Sequence, residues 1–315
     1  LIAAFSGVAT VAVVYFFGRR VYDERVGLIA AAFLTFSISH VEFSRVVKTH
    51  VPAGLFVMLS LWNAWFVYND KNKRLRHYLL AGLFAGLGAS TIYHAGFVLL
   101  SLVVAHVLYW LDFSRRRLSN ERLLSFKLFS AVVVCFLAFL LGTPFALLDW
   151  QTFIGDISSG ASMAYRGGIW ERGTFFPFVS LVRTMGAPAA HLGLVSLIYA
   201  LFRRRPADLI LLSLPLFLGG FLMLFTVKEP HHMLIAFAPI YLLSASLLVD
   251  LITWPVHSRI VQSVVLTVAT VLLIVVPARN SFECGYRLTM PDTRVLAKDW
   301  IEKNIPPSSK LLMDS

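Results

Sequence analysis

The feature that most constrains this 315-residue chain is a succession of apolar runs, each close to the length of a membrane-crossing helix. Such a helix needs about 20 apolar residues. The runs occupy 1–17, 26–44, 52–68, 126–148, 176–202, 208–226, 232–252 and 260–277. The stretch 78–111 is too long for one span and is interrupted at 91–94, so it predicts a hairpin of two shorter helices. We therefore expect an all-α, polytopic transmembrane helix bundle of about ten helices over residues 1–277.

The composition supports a membrane class and argues against a soluble nucleic-acid-binding protein. Hydrophobic residues make up 58% of the chain and charged residues only 14%, more apolar surface than a soluble domain of this size can bury. The net charge of +11 comes from short basic clusters between apolar runs, so anionic membrane lipids are the expected neighbours of these residues. The two cysteines form no disulfide framework and no zinc-binding spacing.

The basic clusters also predict the orientation of the bundle. With ten helices, sixteen lysines and arginines fall on one side, which identifies that side as the cytoplasm. They are Arg19, Arg20, Arg25, Lys71, Lys73, Arg74, Arg76, Arg115, Arg116, Arg117, Arg122, Lys127, Arg203, Arg204, Arg205 and Arg259. The expected location is thus the cell (inner) membrane. Residues 278–315 are predicted to start an extracytoplasmic region, with an amphipathic helix over 292–304.

Four segments are predicted on the outer face: 45–51, 91–94, 149–175 and 227–231. The first and the helix end before it contain Glu42, Arg45, Lys48 and His50, a dense group of ionisable side chains. One interpretation is an ordinary hydrated loop with interfacial anchors. The other is a site for an anionic substrate, in which the cations face phosphate oxygens and Glu42 holds a basic partner.

Two further outer segments leave alternatives open. Tyr93 and His94 at the hairpin tip are either structural hydrogen-bonding groups or part of a pocket wall that contacts substrate. The loop 149–175, which contains Arg166, has the aromatic and basic content of a segment lying on the outer leaflet. It is either a simple interfacial anchor or a flap over a lipid-borne donor.

The short turn with Lys228, His231 and His232 joins two apolar runs. Two histidines on a turn suggest a metal, but adjacent histidines seldom face one ion. A basic group at the mouth of a helix-lined cavity, paired with a phosphate, is the interpretation we favour, and no metal ligands are predicted. Elsewhere, Gly82 and Gly86 lie four residues apart, a spacing typical of close helix packing.

Five stretches carry a resemblance to a known family, through their order, spacing and sidedness. They read GRRVYDERVGLIAAAFLTFSISHVEFSR, RHYLLAGLFAGLGASTIYHAGFVLL, LLGTPFALLDWQTF, KEPHHMLIAFAPIYLL and DTRVLAKDWIEKNIPPSSKLL. The chain resembles the C-type superfamily of membrane glycosyltransferases, in particular the bacterial protein O-mannosyltransferase and lipid A aminoarabinose transferase group. The resemblance implies transfer of a sugar, with inversion, from a polyprenyl-phosphate donor to a lipid, glycan or protein acceptor on the extracytoplasmic face.

The resemblance also implies roles for particular residues. An acidic residue in the first external loop is the expected catalytic group, and that loop would precede Leu1. Residues 1–315 alone are therefore not expected to transfer sugar, and Glu42 is the fallback for the missing acid. The substrate-binding residues that the resemblance implies are Arg45, Lys48, His50, Lys228 and His231. From the hairpin tip and the loop 149–175 we add Tyr93, His94 and Arg166 as predicted substrate-binding residues. Cations of this kind can bind the phosphate with or without a divalent cation, so no cofactor is certain.

Two other classes compete with a transferase. A transporter or lipid flippase also needs many helices and buried charge, but the sequence shows no paired half-chain symmetry of interrupted helices. A non-catalytic membrane scaffold is the third class. An acidic loop after one upstream helix would favour the transferase, whereas several further spans without such a loop would favour transport.

The predicted topology is tested by cysteine-accessibility labelling in intact cells. A cysteine at Gly168 should react with an impermeant reagent, and one at Asn72 should be protected, because the loops containing them are predicted on opposite sides. The reverse pattern would contradict the assignment of cytoplasmic and external loops.

Overall fold

The computed structural model describes residues 1–70, 74–115, 123, 125–164, 176–223, 230–287, 289–306 and 309. In these ranges the regular elements are helices, which confirms the all-α prediction. Helices α1 to α15 are, in order, Ile2–Val21, Glu24–Thr35, Ile38–Arg45, His50–Asn69, Leu75–Thr91, Val98–Arg115, Phe126–Gly142, Phe145–Leu148, Trp150–Ala164, Phe176–Met185, Ala187–Arg203, Pro206–Met223, Leu234–Thr253, Arg259–Arg287 and Thr293–Asn304. Short 3-10 turns precede α6 (Tyr93–Phe97) and α13 (Pro230–Met233).

Several of these helices are long and apolar enough to cross a membrane, but the predicted count of ten is not confirmed. In the described part of the chain, six helices have at least 18 residues and are apolar enough to cross a membrane. A seventh span results if α2 and α3, which are bent by 58°, are counted as one. Three shorter apolar helices, α7, α10 and α11, fall below the length limit. The number of long helices is lower than predicted because breaks in the backbone divide apolar runs that appear continuous in hydropathy.

One such break lies at Gly186, inside the run 176–202 that was predicted as a single span. Its φ of +76° is a conformation that side-chain-bearing residues rarely adopt, and it separates α10 from α11. Pro188 follows in the first turn of α11, where a missing N–H costs nothing. The run therefore forms two helices, and the prediction of a single span here is not confirmed.

Other boundaries agree with the sequence. The predicted hairpin over 78–111 is confirmed, since α5 ends at Thr91 and α6 begins after a 3-10 turn. The amphipathic helix predicted for 292–304 is α15, whose N-cap Asp292 accepts a hydrogen bond from Arg294 N–H. Helix α14 continues to Arg287, so the predicted domain boundary at 277/278 falls inside it and stays a prediction.

The core of the bundle is built around α13. All residues from Leu234 to Val249 are buried, because this helix packs against α2, α4, α11 and α12. A helix that is apolar on every side belongs in such a position. Helix α14, in contrast, is exposed over most of its apolar length and faces the surroundings of the bundle.

A buried polar network ties helices together at the end of the bundle with the basic clusters. Arg203 donates hydrogen bonds to Asp208, at 2.6 and 2.7 Å, and to Asp250. The Tyr22 hydroxyl donates to Asp208 at 2.5 Å. Burial raises the pKa of the Tyr22 phenol well above its usual value, and the Asp208 carboxylate raises it further. This tyrosine therefore stays a neutral donor, and the Asp208 carboxylate is paired although it has no exposed surface.

Helices α5 and α7 approach closely along a seam of small residues. A Cβ added at Gly82 would collide with the backbone of Ala131, and one at Gly86 would collide with the backbone of Cys135. It would also lie 2.7 Å from the Ala138 Cβ. The seam confirms the packing role predicted from the four-residue spacing of these glycines.

Because of the seam, replacement of glycine by alanine should affect thermal unfolding differently at two positions. Gly86→Ala should lower the midpoint of thermal unfolding in detergent, because backbone atoms of α7 must move to accept the methyl group. Gly54→Ala, in α4, meets nothing within 4 Å and should leave the midpoint unchanged or raise it, since alanine favours helix by about 0.5–1 kcal/mol. Equal midpoints for the two variants would argue against close packing at this seam.

Candidate functional site

Alternation of the helices brings three turns to the end of the bundle opposite the buried arginine network. They are the turn between α3 and α4, the break between α5 and α6, and the 3-10 turn before α13. Each carries at least one histidine, at positions 50, 94, 231 and 232. We call His50, His94, His231 and His232 the histidine cluster. Its members come from parts of the chain separated by up to 182 positions.

His50 is the most enclosed member of the cluster. It is the first residue of α4 and is only 6% exposed. Both of its ring nitrogens are buried and have no hydrogen-bond partner. Because buried polar groups are nearly always paired, this imidazole is the polar group of the site that most needs an explanation.

The rings of the cluster are in contact. The His50 ring centroid lies 4.4 Å from that of His231 and 6.1 Å from that of His232, and the His231 and His232 centroids are 4.7 Å apart. One nitrogen from each of these three residues lies within 4.8 Å of the other two. The adjacent pair His231 and His232 thus faces a common point, a geometry that the sequence analysis had set aside.

His94 and Phe43 complete the walls. The His94 ring is 5.8 Å from the His232 ring and 6.5 Å from the His50 ring, and it hydrogen-bonds the backbone of His232. Its Nε2 is buried without a partner. Phe43, in α3, places its ring 5.1 Å from that of His231 and 6.0 Å from that of His50. The cluster therefore has an apolar wall on the α3 side.

Two of the predicted cations lie on the surface in the same segment. Arg45 ends α3, and Lys48 lies in the turn before His50; both are exposed. The Arg45 guanidinium lies beside the backbone of Gly285 in α14, where an added Cβ would be 2.9 Å from Nη1. Glu42 is exposed, and in the described ranges no ion pair joins it to either cation, contrary to the expected pairing.

Of the remaining predicted site residues, the structure describes Tyr93, which lies outside the histidine cluster. Tyr93 is 59% exposed, and its ring centroid lies 6.3 Å from those of Phe139 in α7 and Phe153 in α9. It therefore contacts the neighbouring helices and does not face the histidines. Arg166 and Lys228 lie outside the residues that the structure describes.

Three members of the cluster, His50, His94 and His231, were predicted from the sequence as site residues. His232 was considered only as a metal ligand and left out of the predicted site, and the wall residue Phe43 was missed. The available signal was sidedness, because all three turns were predicted on one face. Sidedness shows at which end of the bundle a residue lies, but it does not show which residues it contacts. Ring-to-ring contact depends on how the helices pack, which the periodicity of single segments does not specify.

The chemistry of the cluster suits a metal ion or an anion. Imidazole nitrogens are common ligands for zinc and other transition metals, whereas magnesium and calcium prefer oxygen ligands. In the described ranges, the group close enough to hold an ion consists of His50, His231 and His232. Arg45 and Lys48, on the same segment as His50, add positive charge at this end of the bundle.

Comparisons with known proteins show what the chain is similar to. A family model described as dolichyl-phosphate-mannose-protein mannosyltransferase matches residues 1–142. The chain is similar to the oligosaccharyltransferase of Archaeoglobus fulgidus in the apo form, with a TM-score of 0.59 and 14% identity over 97% of this chain and 47% of that one. It is also similar to ArnT from Cupriavidus metallidurans in the apo state, with a TM-score of 0.52 and 14% identity over 90% of this chain and 60% of that one.

No curated protein matches the sequence. The chain spans about half the length of the oligosaccharyltransferase and about three fifths of that of ArnT. The two likenesses in fold and the match of the family model agree with each other. The family model supports the resemblance over residues 1–142, and the two solved structures support it in fold over most of the chain.

Proposed function

We propose that this chain, which has the fold of the C-type membrane glycosyltransferases, forms the membrane bundle of an enzyme that uses a polyprenyl-phosphate-linked sugar. The sugar is passed, with inversion, to a lipid, glycan or protein acceptor. The observation that carries the proposal is the meeting of three turns at one end of the bundle, where His50 of the histidine cluster lies on the same segment as Arg45 and Lys48. A group of buried histidines in a membrane bundle is a candidate substrate site, because polar side chains at such depth are costly.

The charge at this end suits the leaving group of the reaction. When the bond between sugar and lipid phosphate breaks, negative charge grows on the phosphate, and fixed cations stabilise that charge in the transition state. Arg45 offers a planar fork for two phosphate oxygens, and Lys48 offers a compact charge. His50, His94 and His231 are the proposed cavity residues behind them, with Lys228, Arg166 and Tyr93 as further proposed contacts. A divalent cation would add positive charge at the same phosphate.

The acceptor side of the reaction needs a base. Transfer requires the acceptor oxygen to be deprotonated or oriented as it attacks, which is work for a placed carboxylate. Within residues 1–315 the first candidate is Glu42, which is exposed at the same end of the bundle and lies three residues before Arg45.

The proposed location follows from the charge asymmetry. The positive-inside rule places the sixteen basic residues in the cytoplasm, so the histidine cluster faces the extracytoplasmic side of the cell (inner) membrane. A lipid-linked donor in the outer leaflet would then present its phosphate at the level of the three turns.

The proposal predicts a loss of transfer when the phosphate contact is removed. Membranes that contain the protein at its full natural length are incubated with labelled polyprenyl-phosphate sugars, and Arg45→Ala should lower the transfer rate about ten- to a hundredfold. Losing a hydrogen bond to a charged group costs about 1.5–3 kcal/mol, which corresponds to this factor. Lys228→Ala should act in the same direction.

Arg294→Ala is the matched control for this experiment. Arg294 is 92% exposed on α15, where it pairs only loosely with Asp292 at 3.5 Å, so its removal should leave transfer unchanged. Variant amounts of folded protein are compared by size-exclusion chromatography. Wild-type turnover in both Arg45→Ala and Lys228→Ala would remove these residues from the site, and absence of transfer from every polyprenyl-phosphate sugar would refute the function itself.

A further inference from the structure

The state of the His50 imidazole carries an inference that does not depend on the proposed function. Its side chain is 6% exposed, and neither ring nitrogen has a hydrogen-bond partner. Leaving a buried donor or acceptor unpaired costs folding free energy. A ligand that takes a nitrogen lone pair would remove much of this cost and would explain why a polar ring is buried at this point.

The neighbours of His50 indicate what that ligand is. One nitrogen each from His50, His231 and His232 lies within 4.8 Å of the other two. In a tetrahedral zinc site with Zn–N of about 2.0 Å, ligand nitrogens are about 3.3 Å apart. Small side-chain rotations are therefore enough to bring three nitrogens onto one ion. An ordinary stack of neutral histidines has no need for nitrogens that converge in this way.

We propose that His50, His231 and His232 bind a divalent transition-metal ion of the zinc class. Nitrogen-only ligation selects such ions over magnesium and calcium, which take oxygen ligands. In the described part of the chain no carboxylate joins the three nitrogens, which agrees with this choice of metal. The ion connects the turn before α4 with the turn before α13.

His94 lies next to the three proposed ligands. Its Nε2 is buried without a partner, and its ring lies beside those of His232 and His50. It also hydrogen-bonds the backbone of His232, an interaction that holds the ring in place next to a ligand. His94 is therefore a positioning residue for His232, and three imidazole nitrogens leave the fourth position of a tetrahedral ion open.

The test uses the complete chain, purified in detergent, freed of metal with a chelator and then exposed to zinc chloride followed by desalting. We expect one zinc ion per chain by elemental analysis and a higher midpoint of thermal unfolding than in the metal-free protein. With cobalt in place of zinc, the intense visible absorption of a tetrahedral nitrogen site should appear. None of these measurements requires a sugar donor or an acceptor.

Single substitutions then locate the ion. His50→Gln and His231→Gln should weaken zinc binding about tenfold or more, since even groups outside the ligand set commonly contribute 10- to 100-fold. His191→Gln is the matched control, because His191 is an exposed histidine that hydrogen-bonds Ala187 O in its own helix. It should keep the zinc content and the cobalt spectrum of the unsubstituted chain.

The outcomes separate the metal site from the enzymatic proposal. Zinc content no higher than background in the unsubstituted chain, or no tetrahedral cobalt absorption, overturns the metal site even if a substituted chain fails to fold. Equal zinc content in folded His50→Gln, His231→Gln and His191→Gln also overturns it. A chain that binds zinc as expected and transfers no sugar refutes the proposed function and leaves the metal site intact.

Discussion

The structure depends on one constraint, the need of every backbone N–H and C=O group in a bilayer to find a partner within the protein. Helices meet this need locally, and so the apolar runs fold as helices whose ends alternate between two sides. Because turns collect at the two ends, residues far apart in the sequence become neighbours without any direct sequence relation. The histidine cluster is a product of this alternation, since it combines the start of α4, the break before α6 and the turn before α13.

Buried polar side chains have different surroundings at the two ends of the bundle. At one end, Arg203 is matched by Asp208 and Asp250, so that opposite charges and hydrogen bonds satisfy each other within the protein. At the other end, His50 has no such protein partner. A network whose hydrogen bonds are all made within the protein fixes helix positions, whereas buried nitrogens without a partner, such as those of His50, can bind a ligand. The contrast is the reason that we propose the histidine end, and not the arginine end, as the functional site.

The fold was largely predictable, and the site only in part. Long apolar runs and basic clusters report the average environment of a segment, and they correctly predicted a helical membrane bundle with a hairpin over 78–111. The break at Gly186 was missed because one backbone angle interrupts a run without changing its hydropathy. His50, His94 and His231 were predicted as site residues, but their mutual contact and the inclusion of His232 depend on interhelical packing. Such contacts are set by side-chain shapes on several helices at once, which one sequence does not reveal.

The glycine seam between α5 and α7 has a mechanical consequence. Helix α7 shows Phe129 and Phe136 to the outside and meets the bundle chiefly along α5, while α8 and α9 continue from its end. The segment from α7 to α9 is therefore joined to the bundle chiefly through this seam, and Tyr93 makes a second contact with it through Phe139 and Phe153. Because no side chain at Gly82 or Gly86 separates α5 from α7, a change in the position of α7 would be passed directly to α5, whose end leads to Tyr93 and His94.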